Sequence, residues 1–236
     1  MTSEMGRIFR RGFLDCAPFI VIVIPYATLF GVVARDAGLE VYEVMAMSVL
    51  VIAGASQFTA VALMQDHAPV LIILMASLAV NLRMAMYSAA LAPHLGHLRF
   101  WLRGLVAYMM VDQSFALSVR KYETEPEMTR QAKAAYYFGT LVAVAPLWYI
   151  CTFAGAVIGQ AIPPVFSLEF AVPVCFIAMT APMLRSLPHV VAAFVSVVAA
   201  IVLGWMPYNL WLIAAGMLAM MAGAQTEFYL KRKVAR

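Results

Sequence analysis

The chain has 236 residues, 64% of them hydrophobic and 12% charged, with a formal net charge of +4 and a mean hydropathy of +0.88. So few charges leave too little polar surface to wrap a water-soluble globule, which excludes an ordinary soluble domain. The basic excess is scattered at the ends of apolar runs and never forms a continuous stripe, which argues against a nucleic-acid partner.

Length is therefore better counted in bilayer crossings of roughly 20 residues. Apolar runs between charge clusters predict segments at 13–34, 42–64, 69–92, 104–119, 135–159, 168–184, 189–204 and 207–224. Hydrocarbon leaves backbone groups no partner but one another, and the alternating pattern of a membrane barrel is absent, so every segment is expected to be helical. The expected architecture is an all-α bundle of about eight spans, or seven, forming a single transmembrane transporter domain over residues 1–236. Short segments, notably the fourth and seventh, leave room for broken or re-entrant helices.

Arg7, Arg10 and Arg11 precede the first segment in the manner of a signal peptide, but that segment is too long for one and contains Pro18 and Pro25. We read it as an uncleaved first span. Counting Lys and Arg outside the spans places the N-terminus, and with eight spans both termini, in the cytoplasm. Arg35, Arg99 and Arg103 then fall outside, and the last two run against the rule. Pro18, Pro25, Pro146, Pro173 and Pro182, with Gly31, Gly54, Gly139 and Gly155, mark places where helices could break and expose backbone groups to a substrate. Cys16, Cys151 and Cys175 sit in apolar segments and are expected to pack rather than cross-link.

Polar residues at membrane depth cost on the order of 2.5–3.5 kcal/mol each when charged, so they demand a reason. In the second segment, Gly54, Ser56 and Gln57 could make either a helix–helix hydrogen bond or a substrate contact. In the third, Asn81, Arg83 and Tyr87 interrupt an apolar run, and Arg83 needs a carboxylate, carbonyls, water or a ligand anion. On an ideal helix Asn81 and Arg83 point about 200° apart, so either the helix unwinds near Leu82 or only one of them faces a given cavity. In the fourth, Asp112 and Gln113 supply the one carboxylate expected mid-span. Asp112 is the natural counter-charge to Arg83, and could instead bind an ammonium group or carry a proton. His94 and His97 lack companions for a metal site, and no phosphate loop, zinc-protease motif or nucleophile elbow occurs. No metal, no cofactor and no enzymatic activity are expected.

Taken in order, these residues resemble a known family. Arg11-Gly12, Pro18, Phe30-Gly31, Met47-Ser48, Ala53-Gly54-Ala55-Ser56-Gln57-Phe58, Asn81-Leu82-Arg83, Tyr87, Leu91-Ala92-Pro93 and Asp112-Gln113-Ser114-Phe115-Ala116 resemble the azaleucine-resistance (AzlC-type) family, the large subunit of a branched-chain amino-acid exporter. The resemblance implies a multi-pass exporter in the bacterial inner membrane, with branched-chain amino acids as substrates and methionine as a further candidate. It also implies a small AzlD-type membrane subunit as partner. Gln113 stands where the family often has a second acid, so any proton-coupling role would rest on Asp112 alone. With no nucleotide-binding domain, transport would draw on the proton motive force. The competing readings are a channel or carrier for another small solute, an intramembrane enzyme using Asp112 with a histidine, and a non-transporting assembly subunit.

Overall fold

A computed structural model describes residues 3–159, 177, 184, 186–206 and 210–234. The elements are α1 (Ser3–Cys16), a 3-10 turn (Ala17–Phe19), α2 (Ile20–Asp36), α3 (Val41–Leu50), α4 (Gly54–Gln65), α5 (Val70–Leu95), α6 (Phe100–Tyr108), α7 (Asp112–Thr124), α8 (Arg130–Ile158), α9 (Leu187–Leu203) and α10 (Leu210–Val234). Among the described residues there is no strand. Of the sixth expected segment only Ile177 and Leu184 are described; Pro173, Cys175 and Pro182, and Arg185 after it, lie outside the described residues.

Among the described residues three stretches are long and apolar enough to cross a membrane: Glu4–Asp36, Val70–Leu95 and Arg130–Ile158. The first is one rod, because Pro18 only tightens a single turn to 3-10 geometry. Pro25, Pro93 and Pro146 lie inside continuous helices, as packed neighbours allow in membranes. Thr129 caps α8 by accepting from the Ala132 amide at 3.2 Å, and Glu40 and Glu43 form a capping box at the start of α3.

The α1–α2 rod and α8 run side by side in the same direction. Methyl groups on Gly12, Gly31, Gly139 and Gly155 would collide with the backbones of Tyr136, Thr152, Phe9 and Thr28 in turn. The two helices therefore touch backbone to backbone, the close approach that small residues permit in lipid.

The expected second and fourth spans are not crossings. Helices α3 and α4 have 10 and 12 residues, about 15 and 18 Å at 1.5 Å per residue, half a bilayer each. They lie antiparallel: Gln57 bonds Ser48, and Val44 and Val61 share one core cluster. Hence α3–α4 is a re-entrant hairpin that starts and ends at the Asp36 side. Helices α6 and α7, of 9 and 13 residues, do the same from the opposite side, with α7 returning to the N-terminal end, where Glu125 meets Arg11. Between the hairpins, α5 crosses back: its last turn places His94 against Lys133 and Tyr122 at that same end.

This topology removes the charge anomaly. With α5 delivering the chain to the N-terminal side, Arg99 and Arg103 join Arg7, Arg10, Arg11, Arg120, Lys121, Arg130 and Lys133 there, and within residues 3–159 only Arg35 stands opposite. The non-helical tips Val51–Ala53 and Met109–Val111 are tolerable at membrane depth because protein shields them: Ile52, Ala53 and Met110 are buried.

Candidate functional site

The two hairpin tips meet near the middle of the bundle. Tyr108, ending α6, donates a hydrogen bond to the Val49 carbonyl on α3 and lies 3.1 Å from the Tyr149 hydroxyl of α8. Beside this contact sits a cavity of about 40 Å³, walled by both tips, Ile22 and Tyr26 of α2, Arg83 and Met84 of α5, and Trp148 of α8. The amino ends of α4 and α7 both open on it, each preceded by a residue (Ala53, Val111) with no side-chain cap. Their first amides lack intrahelical partners, so the cavity carries positive partial charge from two helices.

Two full charges complete it. Arg83 Nη1 lies 3.1 Å from Asp112 Oδ2, with the side chains 29% and 23% exposed. Asp112 opens α7, where a carboxylate offsets the helix dipole. Each partner keeps an unsatisfied buried atom, Asp112 Oδ1 and Arg83 Nε, and the Trp148 indole Nε1 is also unpartnered. Unmade bonds at buried atoms are costly, and all three residues line this one apolar cavity, which suits it to a polar guest. Gly54 lets the α4 backbone approach the aromatic wall: a methyl there would sit 2.5 Å from Tyr26 and 2.7 Å from Trp148.

The family model of the AzlC protein matches residues 18–162, well over half of the chain. The chain belongs to the AzlC family. It is 36% identical over 118 residues to an uncharacterized membrane protein of Archaeoglobus fulgidus, covering 50% of this chain and 52% of that relative. It is 27% identical over 113 residues to an uncharacterized membrane protein of Helicobacter pylori, covering 46% and 49%. The chain thus spans about half the length of these relatives. No solved structure matches it.

In this AzlC-family membrane protein, Gly54, Arg83, Asp112 and Gln113 line the cavity. Tyr87 stands one turn below, its ring stacked on Phe115 at 3.9 Å and within electrostatic reach of Arg83 and Asp112. Ser56, Gln57 and Asn81 do not line the cavity. Gln57, 1% exposed, donates from Nε2 to Ser48 Oγ at 3.0 Å and so ties α4 to α3. Ser56 donates to the Ser77 carbonyl at 3.1 Å, tying α4 to α5. Asn81 shares a face with Ser77, away from the cavity. Helix α5 is unbroken through Leu82, so of the two alternatives the one in which Arg83 alone faces the cavity holds. His94 lies eleven residues beyond Arg83, roughly 16 Å along the helix, and so is remote from Asp112.

Tyr26 and Trp148 were not singled out from the sequence. An aromatic in an apolar run carries no charge signal, and only the proximity of Trp148 to Pro146 hints at it. Among the described residues no three of His, Cys, Asp and Glu gather as metal ligands.

Proposed function

We propose that this protein is the large subunit of an exporter of branched-chain amino acids in the bacterial inner membrane, working with a small AzlD-type subunit and driven by the proton motive force. The reading is carried by the Arg83–Asp112 pair set between two helix amino ends at membrane depth. A zwitterion inserted into that pair brings one charge of each sign, so no net charge enters the low-dielectric interior. Its carboxylate meets Arg83 and the free amides of α4 and α7, its ammonium meets Asp112, and an aliphatic side chain packs on Ile22, Tyr26, Met84 and Trp148.

At about 40 Å³ the cavity holds a few waters at most, against roughly 300 Å³ or more for ordinary ligand sites. The present conformation is therefore closed, and loading requires a hairpin to move. Protonation of Asp112 would neutralise the group that holds the ammonium, which links solute release to the proton gradient.

The test is leucine efflux from liposomes holding the chain and its small subunit under an imposed pH gradient. Asp112→Asn should abolish the gradient-dependent component, and unchanged efflux would remove Asp112 from the mechanism. Full efflux from the charge-swapped Arg83→Asp/Asp112→Arg variant would reduce the pair to a helix clamp and overturn the reading.

A further inference from the structure

A second cavity, about 530 Å³, opens at the basic end of the bundle between α1 and α7. Its wall carries Arg11, Asp15 and Pro18 on one side, Leu117 and Arg120 on the other, and Tyr136 of α8 behind. The charges are mixed and only partly spent on one another. The Tyr136 hydroxyl donates to Asp15 Oδ2 at 2.8 Å. Glu125 takes Lys121 at 2.7 Å and Arg11 at 3.3 Å, whereas Arg120 forms no ion pair among the described residues.

This cavity lies in line with the Arg83–Asp112 site. Pro18 and Leu117 line the outer space, and Ile22 and Gln113 the inner one. Each couple is four residues apart on its own chain segment, so one helical turn, roughly 6 Å, separates the two spaces. One side of that barrier belongs to the α1–α2 rod, which meets α8 backbone to backbone at Gly12 and Gly31. The α7 side belongs to a re-entrant hairpin, held to α1 at the mouth by the exposed Arg11–Glu125 pair, of a kind that contributes little to stability.

We propose that this cavity is the cytosolic loading vestibule of the transport path. A small zwitterion gathers there, its carboxylate toward Arg120 and its ammonium toward Asp15, before α7 swings and Leu117 lets it through to Arg83 and Asp112. The nature of the zwitterion rests on the exporter reading; the existence and sidedness of the vestibule do not.

The full-length Leu117→Cys chain, compared with its parent in inverted and right-side-out membrane vesicles, tests this with a membrane-impermeant cationic methanethiosulfonate. In inverted vesicles the new thiol should react about tenfold faster than the parent's own cysteines, since a thiol in water ionises and one buried in protein or lipid does not. Leucine should slow that reaction, completed modification should stop leucine efflux, and right-side-out vesicles should show no excess over the parent. Reaction no faster than the parent, an excess only in right-side-out vesicles, or full efflux after complete modification would overturn the proposal. If Leu117→Cys does not accumulate, Leu14→Cys on the opposite wall gives the same readout. A parent that moves no leucine defeats the exporter reading alone, because the labelling pattern still decides for or against the vestibule.

Discussion

The α1–α2 rod against α8 and the pair of re-entrant hairpins are made of similar apolar residues, yet they are held in opposite ways. The rod and α8 meet backbone to backbone at four glycines, with Cys16, Phe30, Val144 and Ala156 buried along the seam. Nothing in that seam can shift without separating two whole helices. The hairpins are held through side chains instead: Val44, Ile52, Phe58 and Val61 pack with Tyr26, Phe30 and Trp148, and Val106, Met110 and Tyr122 pack with Tyr136, Tyr137 and Leu141, while Ser56 to Ser77, Tyr108 to Val49, Tyr122 to Lys133, Arg83 to Asp112 and Arg11 to Glu125 add polar contacts. Side chains can turn and repack where a backbone seam cannot, and the polar contacts among them are individually worth about 1 kcal/mol and can be exchanged for contacts with water or solute. The difference divides the molecule into a wall locked backbone to backbone and two arms held through side chains, with the Arg83–Asp112 site on the boundary.

The sharpest way to break the comparison is to loosen the wall. Gly155→Leu drives a side chain into the Thr28 backbone, and overpacking of this kind costs about 1–3 kcal/mol or more. The variant should lose most of its monodisperse peak on detergent gel filtration, while Gly104→Ala, where a methyl meets nothing within 4 Å, should behave like the parent. Equal behaviour of the two would mean that the seam is not rigid. Gly54→Ala comes next. Its methyl meets side-chain rings rather than backbone, so the rings can turn and the protein should fold with a small loss of thermal stability. The methyl fills the cavity, however, and leucine efflux should fall by more than tenfold, the loss expected when over 1.4 kcal/mol of binding is removed.

Much of this division was legible in residues and some of it was not. The long uninterrupted runs of the first, third and fifth segments announced true crossings. The second and fourth looked like spans because a hairpin of two half-length helices has the same residue count as one full helix. Prolines do not mark the breaks: Pro25 and Pro146 lie inside helices, whereas the chain reverses at Val51–Ala53 and Met109–Val111, which contain none. The usable signal was Arg99 and Arg103, whose misplacement under an eight-span count is a topological statement. At the site, Arg83 and Asp112 were visible because charge in lipid needs a reason. Gln57 and Asn81 were equally visible as polar groups, yet Gln57 bonds within its hairpin and Asn81 faces away from the cavity, a choice made by helix phase and not by residue type.

Sharper still are two small changes that should touch only the arms. Tyr108→Phe deletes the bond between the two hairpin tips and the contact with Tyr149. It should lower stability by about 1 kcal/mol, while hydrogen exchange rises at Val49 to Ala53 and stays unchanged along α8. Exchange rising equally in α8 would show that the tips and the wall open together.

Glu125→Gln carries the smallest effect and tests the mouth of the vestibule. The hydrogen bond from Lys121, and then the charges of Lys121 and Arg11, hold the Glu125 carboxyl below its usual range. A carboxylate stabilised in the folded state contributes fully above its ordinary value, near pH 4.3, and loses that contribution as pH falls through the lowered one. At neutral pH the variant should therefore open the mouth slightly, seen as a rise of up to a few-fold in cytosolic labelling of Leu117→Cys, the small scale expected of an exposed ion pair. Thermal stability of the parent should converge on that of the variant below about pH 4, and a gap that persists there would place the contribution of Glu125 outside its ion pairs.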